Sequence, residues 1–178
     1  MESYYSFIKE ESDENTVIYT FFTQYQVLYS VYFDAYHYQD KVYEYPYLLH
    51  KGYAFGFIKK SLSKDTKKTQ DHLVFPTIYY IILDFLGDKD KDSILLYHCD
   101  SKDNKHPYRV RLFQQWESFI KDSDKLFRKC LNAQIGDDEN NKHHFVYMGF
   151  ITQKDNPFLQ EVLEEFENFT IALALDKP

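Results

Sequence analysis

The segment of this chain best suited to chemistry lies between Tyr97 and Trp116, where carboxylates, a histidine, a thiol and two guanidinium groups follow each other closely. The polar candidates are His98, Asp100, Asp103, Arg109 and Arg111. A guanidinium close to carboxylates is typical of an internal ion pair. A guanidinium beside a helix N-terminus is typical of a site for phosphate or carboxylate ligands.

Arg109 is the residue of this segment that most needs an explanation. On a helix from about Pro107 to Ile120, Arg109 falls on the same apolar side as Trp116, whereas Arg111 points away from it. A guanidinium keeps its proton, so a buried Arg109 requires a carboxylate, carbonyl groups or a bound anion. The two arginines cannot hold one ligand side by side if both lie on this helix.

Two interpretations of Arg109 stay open. In the favoured one, Asp100 or Asp103 pairs with Arg109 and ties the end of a strand to the following helix. In the alternative, Arg109 receives a phosphate or carboxylate with help from His98 or Lys105, which predicts a small-molecule, nucleotide-binding or phosphoester-acting protein centred on Asp100, Asp103 and Arg109.

The same segment predicts neither a metal site nor a cofactor. Asp100 and Asp103 are too few carboxylates for hydrolytic metal chemistry, and their spacing differs from that of a calcium-binding loop. His98 and Cys99 are neighbours on a predicted strand and face opposite sides of it. Cys99 is therefore expected to be an inert buried thiol, and Trp116, the only tryptophan, a core residue.

Composition limits the function classes. The chain has 178 residues and a net charge of −7, which argues against a nucleic-acid partner because phosphate affinity depends on clustered Lys and Arg. Two cysteines are too few for a disulfide framework, so a reducing compartment is expected. Neither a secretory leader nor an apolar membrane span is evident. These features predict a cytoplasmic protein with no membrane partner.

The elements that must position these residues follow from the hydrophobic pattern. Five strands are predicted, the first two as a hairpin with Val27, Tyr29, Val31 and Phe33 on its core face: residues 16–22, 26–33, 53–58, 94–99 and 144–152. Besides the segment after Pro107, helices are predicted at Thr77–Leu86, with Pro76 in its first turn, and from Pro157 onward, with Asn156 as N-cap.

Apolar residues at spacings of three and four mark the core side of two of these helices. They are Ile78, Ile81, Ile82 and Phe85 in the first, and Leu159, Val162, Leu163, Phe166 and Phe169 in the last. The pattern predicts a single α+β domain over residues 1–178. Its sheet is expected to be curved and mainly antiparallel, with about five strands and helices packed on one face.

The chain also resembles a family of small, uncharacterised bacterial proteins known only as a domain of unknown function. The resemblance rests on Tyr-x-Cys-Asp-x-x-Asp at residues 97–103 and Arg-x-Arg-x-Phe-x-x-Trp at residues 109–116. Asp71, residues 77–78 and 156–157, and the opening strand pair add weaker support. The resemblance implies a fold and a bacterial origin, and it implies no activity.

The favoured function is a non-enzymatic interaction or regulatory module. The chain contains 17 Tyr and 16 Phe, and aromatic residues are enriched at interfaces. The Tyr-rich stretch with Tyr43, Tyr45 and Tyr47 is the predicted contact surface. Its expected partner is another protein or a second copy of the chain. A toxin or antitoxin component is a third hypothesis that rests only on size and the expected bacterial character.

Overall fold

The architecture was taken from a computed structural model that describes residues 4–11, 15–35, 41–61, 71–100, 124–137 and 143–175. In chain order the elements are β1 (Phe7–Glu11), β2 (Thr16–Phe22), β3 (Val27–Ala35), α1 (Pro46–Leu49), β4 (Gly52–Ser61), α2 (Val74–Gly87), β5 (Ile94–Asp100), β6 (Leu126–Asp137), β7 (His143–Gln153) and α3 (Leu159–Leu175). The strands form an open sheet in the order β1-β2-β3-β4-β5-β7-β6. An α+β fold with a mostly antiparallel sheet is confirmed.

The expectation of about five strands is wrong, because the described residues form seven. The two strands missed are β1 and β6, which end the strand order on either side. Their sequences, FIKEE and LFRKCLNAQIGD, interrupt the apolar pattern with charged and amide residues. Edge strands tolerate such residues because one side faces solvent, and charges there hinder pairing with other chains.

The chain divides into two compact units. The first comprises Met1–Ala35 and Ala54–Asp90, and the second comprises Tyr36–Tyr53 and Lys91–Pro178. The prediction of one domain over residues 1–178 stays a prediction.

The hairpin predicted in the first unit is confirmed. β2 pairs antiparallel with β3, and Tyr19 lies opposite Val31. The turn closes through the Thr23 and Val27 backbones, with N···O 3.0 Å, and Gln26 takes the left-handed conformation with φ 57°. Val31 and Phe33 are fully buried, so the predicted core face is the inner face of this unit.

Helix α2 supplies the other half of that core. It begins at Val74, three residues before the predicted start, and Pro76 is its third residue. The missing proline N–H costs nothing there, because the first four N–H groups of a helix have no intrahelical partner. Phe85 stacks on Phe33 with centroids 4.0 Å apart, and the Tyr19 hydroxyl donates to Asp84 at 2.8 Å.

The second unit carries β5, β7 and β6, joined in antiparallel register. One face of these strands packs on α1 and α3 in a core of Leu48, Leu49, Ile94, Leu96, Met148, Phe150, Val162, Phe166 and Phe169. The last helix was expected to begin at Pro157 and begins at Leu159. The Asn156 side chain accepts the Phe158 N–H at 2.8 Å, which holds the two intervening residues in a turn before the helix.

Candidate functional site

The structure describes only part of the segment in which chemistry was predicted. Asp103, Arg109, Arg111 and Trp116 lie outside the described residues, as does the helix expected from Pro107. Cys99 and Asp100 end strand β5, opposite Tyr147 and Val146. His98 is exposed on the same strand. The ion pair or anion site built on Asp100, Asp103 and Arg109 therefore stays a prediction.

A different arginine, Arg128, lies at the centre of a polar cluster on the sheet of the second unit. Its Nε donates to the Tyr97 hydroxyl at 2.6 Å, and its Nη2 donates to the Tyr147 hydroxyl at 3.1 Å. The Tyr147 hydroxyl in turn donates to Cys130 Sγ at 2.9 Å. These four residues, the Arg128 cluster, connect β5, β6 and β7.

The strand register explains why these residues meet. Tyr97 and Cys130 both lie opposite Gly149, from strands on either side of β7. Cross-strand partners share a face, so the Tyr97 side chain passes over Gly149, which has no side chain, toward β6. A Cβ at Gly149 would overlap the Tyr97 side chain, with Cε1 2.8 Å away and both Cζ and the hydroxyl oxygen nearer. The missing side chain is what makes room for the tyrosine.

Electrostatics keep the phenols of the Arg128 cluster protonated. Burial raises the pKa of Tyr97 well above its usual range, although the neighbouring guanidinium opposes the shift. Burial, followed by the hydrogen bond to Cys130, also raises the pKa of Tyr147. The neutral phenols of Tyr97 and Tyr147 hold the charged guanidinium and so connect the strands. A phenol that stays protonated at neutral pH does not act as a general base.

We expect the Arg128 cluster to make the protein sensitive to alkali. Unfolded tyrosines lose their protons at a pH of about 10, whereas Tyr97 and Tyr147 keep theirs in the folded state. The contribution of these two phenols to the free energy of unfolding is constant below that pH and falls above it, by about 1.4 kcal/mol per pH unit for each retained proton. Urea unfolding across this range should show a shallower fall for Tyr147→Phe than for wild type. Equal slopes in wild type and Tyr147→Phe would contradict the assignment.

A concave site in the second unit lies beside α1. This aromatic groove has a volume of about 320 Å³ and is lined by Pro46, Tyr47, His50, Lys51, Asp92 and Phe158. The rings of Tyr47 and Phe158 are 5.0 Å apart and are 42% and 37% exposed. Lys51 Nζ bonds to Asp92 Oδ1 at 3.0 Å, which leaves this wall without net charge.

Contacts to α3 fix the position of α1, and with it one wall of the groove. The Leu48 N–H donates to Glu165 Oε2 at 2.7 Å. This carboxylate therefore accepts a hydrogen bond from one of the N–H groups that have no partner within the short helix. Burial raises the pKa of Glu165, and the N–H groups of Leu48 and Tyr47 oppose that shift. Gly52 follows α1 closely, where a Cβ would come within 3.0 Å of the Leu48 carbonyl oxygen.

The predicted tyrosine surface is divided between different environments. Tyr43 is 92% exposed. Tyr45 packs edge-on against Phe169 at 5.2 Å, next to the core of the second unit. Tyr47 borders the aromatic groove. The three rings differ in exposure, and the contact surface predicted from them stays a prediction.

The sheet of the first unit has an outer face, opposite the one that holds Tyr19 and Phe33, on which large apolar side chains alternate with polar ones such as Thr20 and Ser30. Register and alternation assign six large side chains to this outer face: Ile8, Ile18, Phe22, Leu28, Tyr32 and Ile58. Gly56 shows which side of β4 belongs to the outer face, because a Cβ there would come within 2.5 Å of Tyr32 Cζ. Ile58 is two residues further along the strand and therefore lies on the same side as Gly56. Ile8, Phe22 and Ile58 are 64%, 57% and 64% exposed.

Comparison with known proteins identifies a family. A family model described as a family of unknown function, DUF6169, matches residues 70–168, more than half of the chain. The chain belongs to this family of unknown function. No curated protein and no solved structure matches the DUF6169 chain. The expected resemblance to a domain of unknown function is thereby confirmed at the level of the family.

The matched DUF6169 segment divides the candidate sites. It includes the Arg128 cluster, Asp92 and Phe158, together with the residues 97–116 in which chemistry was predicted. It excludes the opening strand pair that supported the resemblance, and with it the outer face. The outer face and the Tyr47 side of the aromatic groove are thus features of this chain outside the match.

The described ranges of this DUF6169 protein lack two further features. No group of three His, Cys, Asp or Glu side chains within them is placed to hold a metal ion. None of the helices seen there has the length and apolar character needed to cross a membrane.

Sequence reasoning missed Arg128, although a signal for it was present. Alternation along Leu126, Arg128 and Cys130 places an arginine on the same side as an apolar residue and a thiol. That signal is readable only once residues 126–137 are recognised as a strand.

Proposed function

We propose that this protein is a non-enzymatic interaction module that binds another protein through its outer face. The observation that carries the proposal is the exposure of Ile8, Phe22 and Ile58 on one side of a sheet. Exposed apolar patches of several hundred Å² on soluble proteins often mark interaction sites. A cytoplasmic, bacterial setting, expected from the sequence, belongs to the same proposal.

The chemistry of the face favours a partner that brings an apolar helix. On the outer face Ile18, Phe22, Leu28 and Tyr32 lie beside the small side chains of Thr20 and Ser30, a surface on which the apolar side of an amphipathic helix can pack. Helix α2 contributes to covering the inner face, so a helix of similar length would complete a three-layer arrangement. Three charged side chains, Glu10, Asp34 and Lys60, lie near the ends of the outer face.

The size of the outer face suggests a reversible complex. Four strands about 4.8 Å apart and about seven residues long span on the order of 450 Å². Two partners would then bury roughly 900 Å², below the ~1,200–2,000 Å² of stable complexes and within the range of transient ones.

The test compares two isoleucine variants of similar exposure. Ile58→Lys places a charge on the outer face, whereas Ile171→Lys places one on α3 in the second unit, where the isoleucine is 59% exposed. Affinity capture from cells followed by mass spectrometry should recover a protein that wild type and Ile171→Lys retain. Ile58→Lys should recover at least tenfold less of that protein than wild type does.

Hydrogen exchange locates the contact on the protein, and light scattering shows whether the complex is a homodimer. The recovered complex should protect the amides of β2 and β3 relative to the isolated protein. Protection confined to the second unit would overturn the proposal, as would equal capture by both isoleucine variants. A homodimer that Ile58→Lys dissociates would overturn the choice of a different protein as partner.

A further inference from the structure

The geometry points to a second recognition site: we infer that the aromatic groove binds a proline-containing, extended segment of a partner protein. This inference does not depend on the outer face, which belongs to the other unit. It rests on the shape of the groove, the accessible rings in its wall and the neutrality of its polar side.

The size of the groove suits a short segment. Ligand clefts range from ~300 to ~1,000 Å³, and about 320 Å³ lies at the lower end of that range. A groove of this volume therefore accepts a few residues of a chain. A polyproline II segment rises only about 3.1 Å per residue, so several residues contact a site of this size.

The apolar wall is accessible and held in place. Tyr47 and Phe158 stay about two-fifths exposed although their rings pack together, so both retain surface for a ligand. The Leu48–Glu165 hydrogen bond anchors α1, and the Asn156 side chain anchors the Phe158 backbone. A wall fixed in advance lowers the entropy lost on binding.

The polar wall favours a neutral ligand that accepts hydrogen bonds. Lys51 and Asp92 are bonded to each other, so a charged ligand would have to compete with that ion pair. The Tyr47 hydroxyl and the His50 ring line the same groove and are able to donate to carbonyl oxygens. Proline segments present carbonyl acceptors, lack N–H donors and offer flat rings that pack on aromatic side chains.

The experiment titrates the full-length protein with a panel of labelled peptides. Each peptide carries prolines at varied spacing, and a partner peptide replaces every proline by alanine. Fluorescence anisotropy measures affinity, and amide chemical shifts of the wild type locate the contact. We expect proline peptides to bind at least tenfold more tightly than their alanine counterparts, with shifts confined to α1 and the residues around Phe158.

Two groove variants and two control variants test the residues. Tyr47→Ala and Phe158→Ala should each weaken peptide binding at least tenfold, as expected for aromatic contacts at the centre of a site. Tyr43→Ala removes a ring that is 92% exposed and outside the groove, so it should change affinity less than twofold. Phe22→Ala on the outer face should also bind normally, which separates this inference from the proposed function.

Clear outcomes would overturn the inference. One is a panel in which no proline peptide shifts the groove amides at millimolar concentration. Others are equal binding of proline and alanine peptides, or equal losses in Tyr43→Ala and Tyr47→Ala. Because the chemical shifts are measured on wild type, the location of peptide binding is tested independently of the stability of the variants.

Discussion

Gly149→Ala is expected to lower the free energy of unfolding by at least about 3 kcal/mol, at the upper end of what overpacking a core costs. The new Cβ would overlap the Tyr97 ring, and that ring cannot easily move away. Tyr97 is only 3% exposed, and its hydroxyl accepts the Arg128 Nε–H at 2.6 Å. Domains are stable by only ~5–15 kcal/mol, so equilibrium urea unfolding should show the loss directly.

Gly87→Ala is the matched control for this substitution. Gly87 ends α2 and has no atom within 4 Å of an added Cβ, so alanine there should be neutral or slightly stabilising. A double-mutant cycle with Tyr97→Val tests the cause, since without the ring the alanine at position 149 should cost much less. A Gly149→Ala variant as stable as Gly87→Ala would show that Tyr97 does not occupy this space.

Phe33→Ala is expected to cost about 3–5 kcal/mol, as for other buried phenylalanines. Its ring is fully buried and packs against the rings of Tyr19, Phe55 and Phe85 at centroid distances of 5.7, 5.5 and 4.0 Å. Alanine would leave a cavity between the sheet and α2 that neighbouring rings fill only in part. The midpoint of urea unfolding and the slope of the transition should be measured together.

Phe22→Ala on the same hairpin serves as the comparison. Phe22 is 57% exposed on the outer face, so its removal should change stability by no more than about 0.5 kcal/mol. The same change should weaken capture of the proposed partner. Similar stability losses in Phe22→Ala and Phe33→Ala would mean that both faces of the sheet are packed within the chain.

Local sequence patterns predicted the elements in which apolar residues recur with either the strand period or the helix period alone. The hairpin, the core face with Val31 and Phe33, the strand from Ile94 and the last helix follow directly from spacing and turn residues. Strands β1 and β6 did not, because their charged residues suit an edge and mask the alternation. The start of α2 was misplaced because a proline in the first turn fits several positions equally well.

The candidate sites were less predictable than the fold. Sequence spacing grouped Tyr43, Tyr45 and Tyr47, yet one is exposed, one packs against Phe169 and one borders a groove. Phe158, which completes that groove, is more than 100 residues away along the chain. No local pattern predicts such a pairing, because it depends on how α1 and the start of α3 are brought together.

By itself, the sequence determined the α+β class, most strand and helix positions and the apolar sides of the helices, because backbone period and side-chain burial are local properties. Only the tertiary structure decided that Arg128 meets Tyr97 and Tyr147, that Gly149 makes room for a ring, and which aromatic side chains stay accessible. These outcomes depend on strand order and register, which join residues distant in sequence. A contact between such residues leaves no periodic signal in the chain.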